Sequence, residues 1–270
     1  IHIDIDPSSI NKNVKVDIAL VGDVKLVLEK FVSVIKQKHP NFENSNKQKI
    51  AAWWSQIENW RKKNSLGYKN SKEVIKPQFA VQKLYELTKS QDVFITTEVG
   101  QHQMWASLHF DVIEPGTFFT STGLGTMGWG LPAAVGAKFA RQDLPVIDIA
   151  GDGSVQMTES ALATSVTEDL PVITVIFNNG MLGMVAQWQR LFYERKYIGV
   201  ELKGIPDYVK IAEAYGAEGI RAQSMNEFEN ALKSALNSNI TTIIDVPINP
   251  DEDVFPFVVP NSALKDMVIA

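Results

Sequence analysis

The sequence predicts an α/β protein organised around a parallel β-sheet. Two β-branched runs, residues 146–150 and 172–177, flank one amphipathic stretch, so the segment has the pattern strand, loop, helix, strand. The loops Gly151-Asp152-Gly153 and Asn178-Asn179 follow the two runs directly. Open α/β sheets bind their ligands at the carboxyl ends of parallel strands. We therefore expect the functional site at that edge of the sheet.

The composition is that of an ordinary globular protein. The 270 residues are 45% hydrophobic and carry a formal net charge of −5. No basic stripe is present, which argues against nucleic acid as the main partner, and no apolar run reaches the roughly 18 residues of a membrane span. The absence of cysteine excludes disulfides and thiolate metal sites. These features predict a protein of a reducing compartment, the cytoplasm, with neither nucleic acid nor a membrane as its partner.

Residues 1–35 predict the end of a preceding domain. An apolar alternation from Ile1, a second short strand ending at Gly22 and a helix from 24 to about 35 are too little to bury a core. Because the chain begins inside a strand pattern and without Met, we expect it to be the carboxyl-terminal part of a longer protein. Asp4 and Asp23 stand at strand ends, where a carboxylate either binds a ribose or adenine or is a solvated turn residue.

Residues 36–76 predict a polar linker with one helix. Its apolar positions 50, 53, 54 and 57 have helical spacing, and we expect it to dock by its tryptophans. A domain over residues 77–248 then begins with a helix from Pro77, a strand at 93–97 and a loop at 98–105. In that loop, Gln101 and His102 could donate hydrogen bonds to a phosphate at the same sheet edge.

A glycine-rich segment permits two interpretations. Gly123, Gly125 and Gly128 match G-x-G-x-x-G, and Asp148 follows 20 residues later, as in a nicotinamide-dinucleotide site. The context opposes this interpretation, because Asp148 lies inside a predicted strand and the loop does not follow the first strand of the fold. We favour these glycines as a wall for a flat pyrimidine ring, with Met127 beneath it, before a helix at 133–140.

The loops after residues 150 and 177 predict a metal-bridged diphosphate site. Adjacent strands lie about 4.8 Å apart, so Asp152 and Asn179 can converge on one small cation. Oxygen ligands suit Mg²⁺, which is usually shared with phosphates. Gly151 and Gly153 let the backbone approach a diphosphate closely, and a helix beginning just after Met181 offers it free N–H groups.

That helix carries an apolar stripe. Core packing is the default interpretation of such a stripe, but the amino end of the helix is at the metal, so its first two turns must border the cavity. The stripe consists of Met184, Val185, Trp188, Leu191 and Phe192.

The remaining pattern is regular up to the tail. A helix at 208–215 is stopped by Gly216, a capping box from Ser224 to Glu227 opens a helix to 235, and a last strand covers 241–246. The proline-rich tail, residues 249–270, has no periodicity and could fold over the site as a lid.

Several segments together point to one family. They are VGQHQMWA at 99–106, GLGTMGWGLPAA at 123–134, GDGS at 151–154 and NNGMLGMVAQWQRLFYE at 178–194. GDG followed by NN resembles the thiamine-diphosphate signature, and the set resembles the catalytic large subunit of acetolactate synthases. The resemblance covers essentially the whole chain. It implies the end of a Rossmann-like middle domain, then a three-layer thiamine-diphosphate-binding domain with a parallel sheet.

The resemblance also implies an activity, cofactors and partners. Members of the family condense pyruvate with a second pyruvate or with 2-oxobutyrate, losing CO₂, in branched-chain amino-acid biosynthesis. They use thiamine diphosphate, Mg²⁺ and FAD, which has no redox role. The implied partners are 2-oxo acids, further copies of the chain in a homodimer or homotetramer with the active site at the subunit interface, and a regulatory small subunit.

Site residues follow by matching positions. The implied thiamine-diphosphate contacts are Gln101, His102, Gly123, Gly125, Met127, Asp152, Gly153, Ser154, Asn179, Met181, Gly183 and Met184. The implied Mg²⁺ ligands are Asp152, Asn179 and the main-chain carbonyl of Met181. The implied flavin contacts are Asp4, Ile5, Asp23 and Val24, and Trp188 matches the residue that selects the acceptor keto acid.

No catalytic residue is implied within these 270 residues. In the family, the glutamate that activates the cofactor belongs to the amino-terminal domain of a partner subunit, and nothing here matches its motif. We therefore expect the chain alone to be inactive. The alternatives are another thiamine-diphosphate-dependent decarboxylase or oxidase of 2-oxo acids, which would share GDG and NN, and a nicotinamide-binding module.

Overall fold

The computed structural model describes residues 1–63, 66–71, 73–112 and 114–269. The chain divides into two units, Ile1–Ser65 and Leu66–Ala270. We placed the corresponding boundary after residue 76. In the structure, Ile75 is 1% exposed and belongs to the core of the second unit. The described residues 66–71 and 73–76 are therefore part of the second unit.

The first unit contains two short parallel strands and two helices. β1 (His2–Asp4) pairs with β2 (Ala19–Val21), and α1 covers Val24–Lys38. Asp23 caps α1, because its side chain accepts a hydrogen bond of 3.1 Å from the Leu26 N–H. A 3₁₀ turn, Pro7–Ser9, follows β1. Among the described side chains of residues 1–62 none is buried, and for residues 1–35 we expected a segment too small to bury a core.

The second helix of this unit, α2 (Phe42–Lys63), does not bury its tryptophans. Trp53 is 54% exposed and Trp60 is 46% exposed. The two rings contact each other edge to face, with centroids 5.5 Å apart. This helix therefore presents an aromatic surface.

The second unit is built on a six-stranded sheet in which every pairing is parallel, in the order β4-β3-β5-β6-β8-β7. The four strands that we predicted are confirmed to within one residue at each end. The two edge strands, β4 and β7, escaped prediction because they are short and only partly buried. The strands are β3 (Phe94–Thr97), β4 (Phe118–Thr120), β5 (Val146–Gly151), β6 (Ile173–Asn178), β7 (Glu218–Arg221) and β8 (Thr242–Pro247).

Helices cover both faces of this sheet, so the predicted three-layer fold is confirmed. One apolar core lies between the sheet and α3, α4 and α10, and a second lies under α5, α7 and α9. Because β5, β6 and β8 are buried on both faces, they are nearly continuous apolar runs. The helices are α3 (Pro77–Thr88), α4 (Gln101–His109), α5 (Gly130–Ala140), α6 (Asp152–Val155), α7 (Ala161–Thr167), α8 (Gly183–Phe192), α9 (Tyr208–Tyr215) and α10 (Met225–Leu236), and a 3₁₀ turn covers Leu264–Asp266.

Two element predictions need correction. The segment 98–105 is not all loop, because α4 begins at Gln101; its polar first turn has no apolar periodicity to show it. The helix predicted from 133 begins at Gly130, since Pro132 is tolerated in the first turn, where its missing N–H is not needed.

Helix ends agree well with the sequence signals. Gly216 ends α9 with φ of 82°, a conformation that favours glycine. Ser224 caps α10, because its hydroxyl accepts a hydrogen bond of 3.3 Å from the Glu227 N–H. The Glu227 carboxylate in turn accepts a hydrogen bond of 2.8 Å from the Gln223 N–H. Among the described helices, none is long and apolar enough to cross a membrane.

Candidate functional site

A cleft of about 100 Å³ opens at the carboxyl ends of β3, β5 and β6, the edge that the sequence predicts. It is mostly apolar, with polar groups concentrated at the two loops after β5 and β6. Ten of the predicted residues line it: Gln101, His102, Met127, Asp152, Gly153, Ser154, Asn179, Met181, Gly183 and Met184.

Asp152 joins the two loops. One carboxylate oxygen accepts a hydrogen bond of 2.8 Å from the Gly153 N–H, and the other accepts one of 2.7 Å from the Gly180 N–H. The side chain is nearly buried, and burial raises the pKa of Asp152 to about 6, against the effect of these backbone donors. A buried carboxylate with only neutral partners is the environment that a bound cation would stabilise.

Asn179 and Met181 carry two further oxygen atoms that could bind a cation beside Asp152. The side-chain oxygen of Asn179 accepts a hydrogen bond of 3.0 Å from the Met181 N–H, which fixes the amide orientation. Next to Met181, the Leu182 N–H donates to the Val200 carbonyl and the Leu202 N–H donates to the Gly180 carbonyl. The Met181 carbonyl takes part in neither of these hydrogen bonds. A carboxylate, an amide oxygen and a main-chain carbonyl are hard oxygen donors that fit Mg²⁺. Such a set contains one acidic residue, consistent with the absence of any cluster of three His, Cys, Asp or Glu metal ligands among the described residues.

The glycines of the site make room chiefly for side chains. A Cβ added at Gly151 would lie 2.6 Å from Nδ1 of His102, and one at Gly183 would lie 2.1 Å from Oε1 of Gln101. An added Cβ at Gly153 would likewise meet side chains, those of Leu182 at 2.9 Å and Leu202 at 3.0 Å. Our expectation that Gly151 admits a phosphate therefore needs revision, since the His102 ring occupies that space.

His102 and Gln101 lie in the first turn of α4. Burial lowers the pKa of His102 to about 3, so the imidazole is neutral, and its Nε2 has no hydrogen-bond partner among the described residues. The Gln101 amide nitrogen donates to Gln187 at 2.8 Å and to the Glu252 carbonyl at 2.9 Å. These two bonds turn the Gln101 oxygen toward the Asn179 amide, 3.4 Å away.

The Ser154 hydroxyl does not face the cleft. It donates to the Glu98 carboxylate at 2.8 Å, so only the main-chain N–H of Ser154 is available to an anion. Behind the same loop, the buried hydroxyl of Tyr208 donates to the Asp152 carbonyl at 2.7 Å. Sequence analysis missed this support by Tyr208, since one aromatic residue in α9 looks like any other core residue.

The glycine-rich loop contributes Met127 to the cleft, whereas Gly123 and Gly125 are exposed. Asp148 is fully buried in β5 and accepts a hydrogen bond of 3.0 Å from the Thr96 hydroxyl. It cannot reach the ribose of a dinucleotide. The structure therefore removes the nicotinamide interpretation.

The apolar stripe of α8 does not pack in the core, which is the default interpretation of its pattern. Val185 is 50% exposed and Phe192 is 44% exposed, whereas Gln187 and Arg190 are buried. The buried polar groups are satisfied by the tail, as Gln187 and Arg190 bond residues 251–254. Three residues of the stripe, Met184, Val185 and Trp188, instead line an open groove of about 500 Å³, which shares Met184 and Val185 with the cleft. As predicted, the first turns of α8 border the cavity.

Comparison with known proteins decides the family. The sequence profile described as "Thiamine pyrophosphate enzyme, C-terminal TPP binding domain" matches residues 98–246, more than half of the chain. The chain belongs to this family. The match begins at the end of β3 and ends in β8, so it contains every residue that lines the cleft.

Similar proteins share one kind of name. The chain is 40% identical to the acetolactate synthase isozyme 3 large subunit of Escherichia coli, over 99% of this chain and 46% of that protein. It is 41% identical to the probable acetolactate synthase large subunit of Methanococcus aeolicus, over 100% of this chain and 46% of that protein. The chain thus spans about half the length of the curated relatives it matches.

A solved structure supports the α/β fold. The crystal structure of benzoylformate decarboxylase from Polynucleobacter necessarius superposes with a TM-score of 0.62 and 28% identity, covering 69% of this chain and 36% of that one. The predicted cofactor, thiamine diphosphate, is confirmed by the family. The cleft fits it in one further respect, because α6 begins at Asp152 and α8 begins at Gly183, and first-turn N–H groups of a helix lack partners within the helix and can donate to a diphosphate.

Proposed function

We propose that this chain is the cofactor-binding half of an acetolactate synthase large subunit. The enzyme would join two pyruvates, or pyruvate and 2-oxobutyrate, with loss of CO₂, to give 2-acetolactate or 2-aceto-2-hydroxybutyrate for branched-chain amino-acid biosynthesis. The observation that carries the proposal is the likeness of the whole chain, not only its cofactor domain, to acetolactate synthase large subunits at 38–41% identity.

In this proposal Mg²⁺ is bound by Asp152, Asn179 and the Met181 carbonyl. It would be shared with a diphosphate that accepts hydrogen bonds from the main-chain N–H groups of Ser154, Gly183 and Met184, since the Gly153 N–H already donates to Asp152. Gln101 and His102 bound the same space. The pyrimidine lies against the loop of Gly123, Gly125 and Met127.

Bound thiamine diphosphate would supply a carbon nucleophile for the keto carbon of pyruvate and a cationic ring that takes up the electron pair left when CO₂ departs. The chain's own contribution is to hold and enclose it. Met127, Trp105 and Phe177 make the cleft apolar, and excluding water strengthens the electrostatic interactions inside it. The carboxylate that drives proton removal from the cofactor would come from outside these residues, as the family resemblance implies.

The FAD site would be in the first unit. Because β1 and β2 are parallel, Asp4, Ile5, Asp23 and Val24 all lie at one end of this strand pair. The side chain of Asp23 already caps α1, and that of Asp4 accepts a hydrogen bond of 2.9 Å from the Asp6 N–H. FAD would therefore meet carboxylates whose positions are fixed by their own backbone.

The proposed assembly is a homodimer or homotetramer with the active site at the subunit interface, joined by a regulatory small subunit, in the cytoplasm. The names of the relatives as large subunits support a smaller partner. Trp188 would contact the acceptor keto acid from the groove beside the cleft, which suits the apolar end of 2-oxobutyrate.

Product analysis on the full-length protein tests the proposal. With pyruvate, Mg²⁺ and thiamine diphosphate we expect acetolactate, and with added 2-oxobutyrate we expect acetohydroxybutyrate. Release of free aldehyde, or turnover of benzoylformate instead, would favour the alternative of a decarboxylase like the structural neighbour.

A further inference from the structure

A second buried acidic residue, Glu98, lies behind the cleft and accepts hydrogen bonds from two of the segments that surround it. Glu98 is fully buried, and three donors face its carboxylate: the Gly128 N–H at 2.6 Å, the Leu131 N–H at 3.0 Å and the Ser154 hydroxyl at 2.8 Å. Three donors satisfy an ionised carboxylate, and each hydrogen bond to a charged group is stronger than a neutral one. Neither composition nor spacing assigns this residue a role.

The three donors belong to two segments that are distant in sequence. Ser154 lies in α6, in the loop that carries Asp152. Gly128 follows Met127 directly, and Leu131 lies in the first turn of α5. Glu98 itself is fixed to the sheet, because its N–H donates to the Ile149 carbonyl at 3.0 Å. One rigidly placed carboxylate therefore connects the Met127 loop to the Asp152 loop.

Further contacts restrict the movement of the Met127 loop. Gly128 has φ of 85°, and its carbonyl accepts a hydrogen bond of 2.8 Å from the Thr158 hydroxyl. A Cβ added at Gly130 would lie 2.4 Å from the Asp148 carboxylate and 2.6 Å from the Glu98 nitrogen. The loop is thus pressed against the end of the sheet, and Glu98 sets the position of its N–H groups.

The neighbouring acid does not compete for this role. Burial, and then the charge of Glu98, raise the pKa of Asp148 well above its usual value. Its recorded hydrogen bond is to Thr96 within the sheet and not to either loop. It therefore provides a matched control with similar burial.

We propose that Glu98 is a positioning residue that fixes the spacing between the pyrimidine wall at Met127 and the diphosphate loop at Asp152–Ser154. The inference rests on the proposed placement of the pyrimidine. It explains why the serine of GDGS points away from the cleft. With Glu98 neutralised, the diphosphate loop keeps its own bonds from Gly153 and Gly180 to Asp152, but the Met127 loop loses its anchor.

Calorimetry on the full-length protein tests this with two probes, thiamine diphosphate and inorganic diphosphate, each with Mg²⁺. In Glu98→Gln, an amide N–H must face one of the three donors. Affinity for thiamine diphosphate should fall about tenfold or more, whereas affinity for inorganic diphosphate should fall about threefold at most. Asp148→Asn should keep the wild-type ratio of the two affinities.

A purely structural role would lower the unfolding temperature and weaken both probes alike, and that result would overturn the inference. If Glu98→Gln does not fold, Ser154→Ala removes one of the three donors and should still weaken thiamine diphosphate more than inorganic diphosphate. An unchanged ratio in that variant would equally contradict the role of Glu98. If the wild-type protein bound both probes equally, the pyrimidine site would fail and this inference with it. Thiamine-diphosphate selectivity without acetolactate formation would overturn the proposed reaction alone.

Discussion

Three buried carboxylates at one end of the sheet differ in their partners and therefore in their chemistry. Asp152 faces the cleft with two N–H donors, Glu98 faces three donors behind it, and Asp148 accepts from Thr96. The sequence identifies Asp152 because it stands in GDG. It cannot distinguish the other two, since their roles depend on loops that are distant in sequence.

Replacing Asp148 by Asn should stabilise the protein most at high pH. The folded protein keeps the Asp148 proton after the unfolded chain has released it, so stability falls as pH rises from about 4 toward the raised folded pKa, by up to about 1.4 kcal/mol per pH unit. Asn does not titrate. The gain in unfolding temperature of Asp148→Asn over wild type should therefore be larger at pH 8 than at pH 5. Equal gains at both pH values would contradict the assignment.

Trp188→Leu should flatten the preference for 2-oxobutyrate over pyruvate as acceptor. The indole offers an apolar surface to the extra methylene, which can contribute about 1–3 kcal/mol, or roughly 10- to 200-fold in selectivity. Acetolactate formation from pyruvate alone should persist. The product ratio in a mixed-substrate assay measures the effect, and an unmoved ratio would make Trp188 a packing residue only.

At the scale of elements, the sequence predicts what repeats locally and misses what depends on partners. The β-branched central strands and the caps at Gly216 and Ser224 are local signals, and they are confirmed. The edge strands β4 and β7 are too short to show a pattern. Core packing is the default interpretation for the stripe of α8, but Gln187 and Arg190 occupy the buried side of the helix through their bonds to the tail, which the spacing alone does not show.

The contact between α8 and the tail predicts a large effect of Arg190→Met. The Arg190 guanidinium, 4% exposed, pairs with Asp251 and Asp253. Removing it leaves both carboxylates without their buried partner, which should cost about 1–3 kcal/mol of unfolding free energy. Amide hydrogen exchange at residues 251–254 should accelerate.

The matched control for this change is Arg195→Met. Its side chain is 62% exposed and reaches Asp251 at 3.5 Å. Such an exposed pair should contribute about 0.5 kcal/mol or less. Equal destabilisation by the two substitutions, measured by denaturant unfolding, would show that Arg190 does not anchor the tail. Because α8 holds residues 251–254, the lid that we expect in residues 249–270 is proposed only for the residues beyond Val254.

At the scale of the whole molecule, the cleft lies entirely in the second unit. Residues 1–270 alone should therefore retain binding of thiamine diphosphate but form no acetolactate, because the activating glutamate is expected from outside them. Within the chain, Glu98 is occupied by three donors and cannot take this role. Acetolactate from the purified 270-residue polypeptide would reveal an overlooked base, and Glu159 would be the first residue to mutate.

We propose that one cation at Asp152 and Asn179 bridges the cofactor diphosphate to this chain. Calorimetric titration with thiamine diphosphate, with and without Mg²⁺, tests it most directly in wild type, Asp152→Ala and the exposed control Glu168→Ala. Wild type and the control should bind only with Mg²⁺, and Asp152→Ala should lose this Mg²⁺-dependent binding, because its one charged ligand is gone. Unchanged affinity and Mg²⁺ dependence in Asp152→Ala would contradict the account.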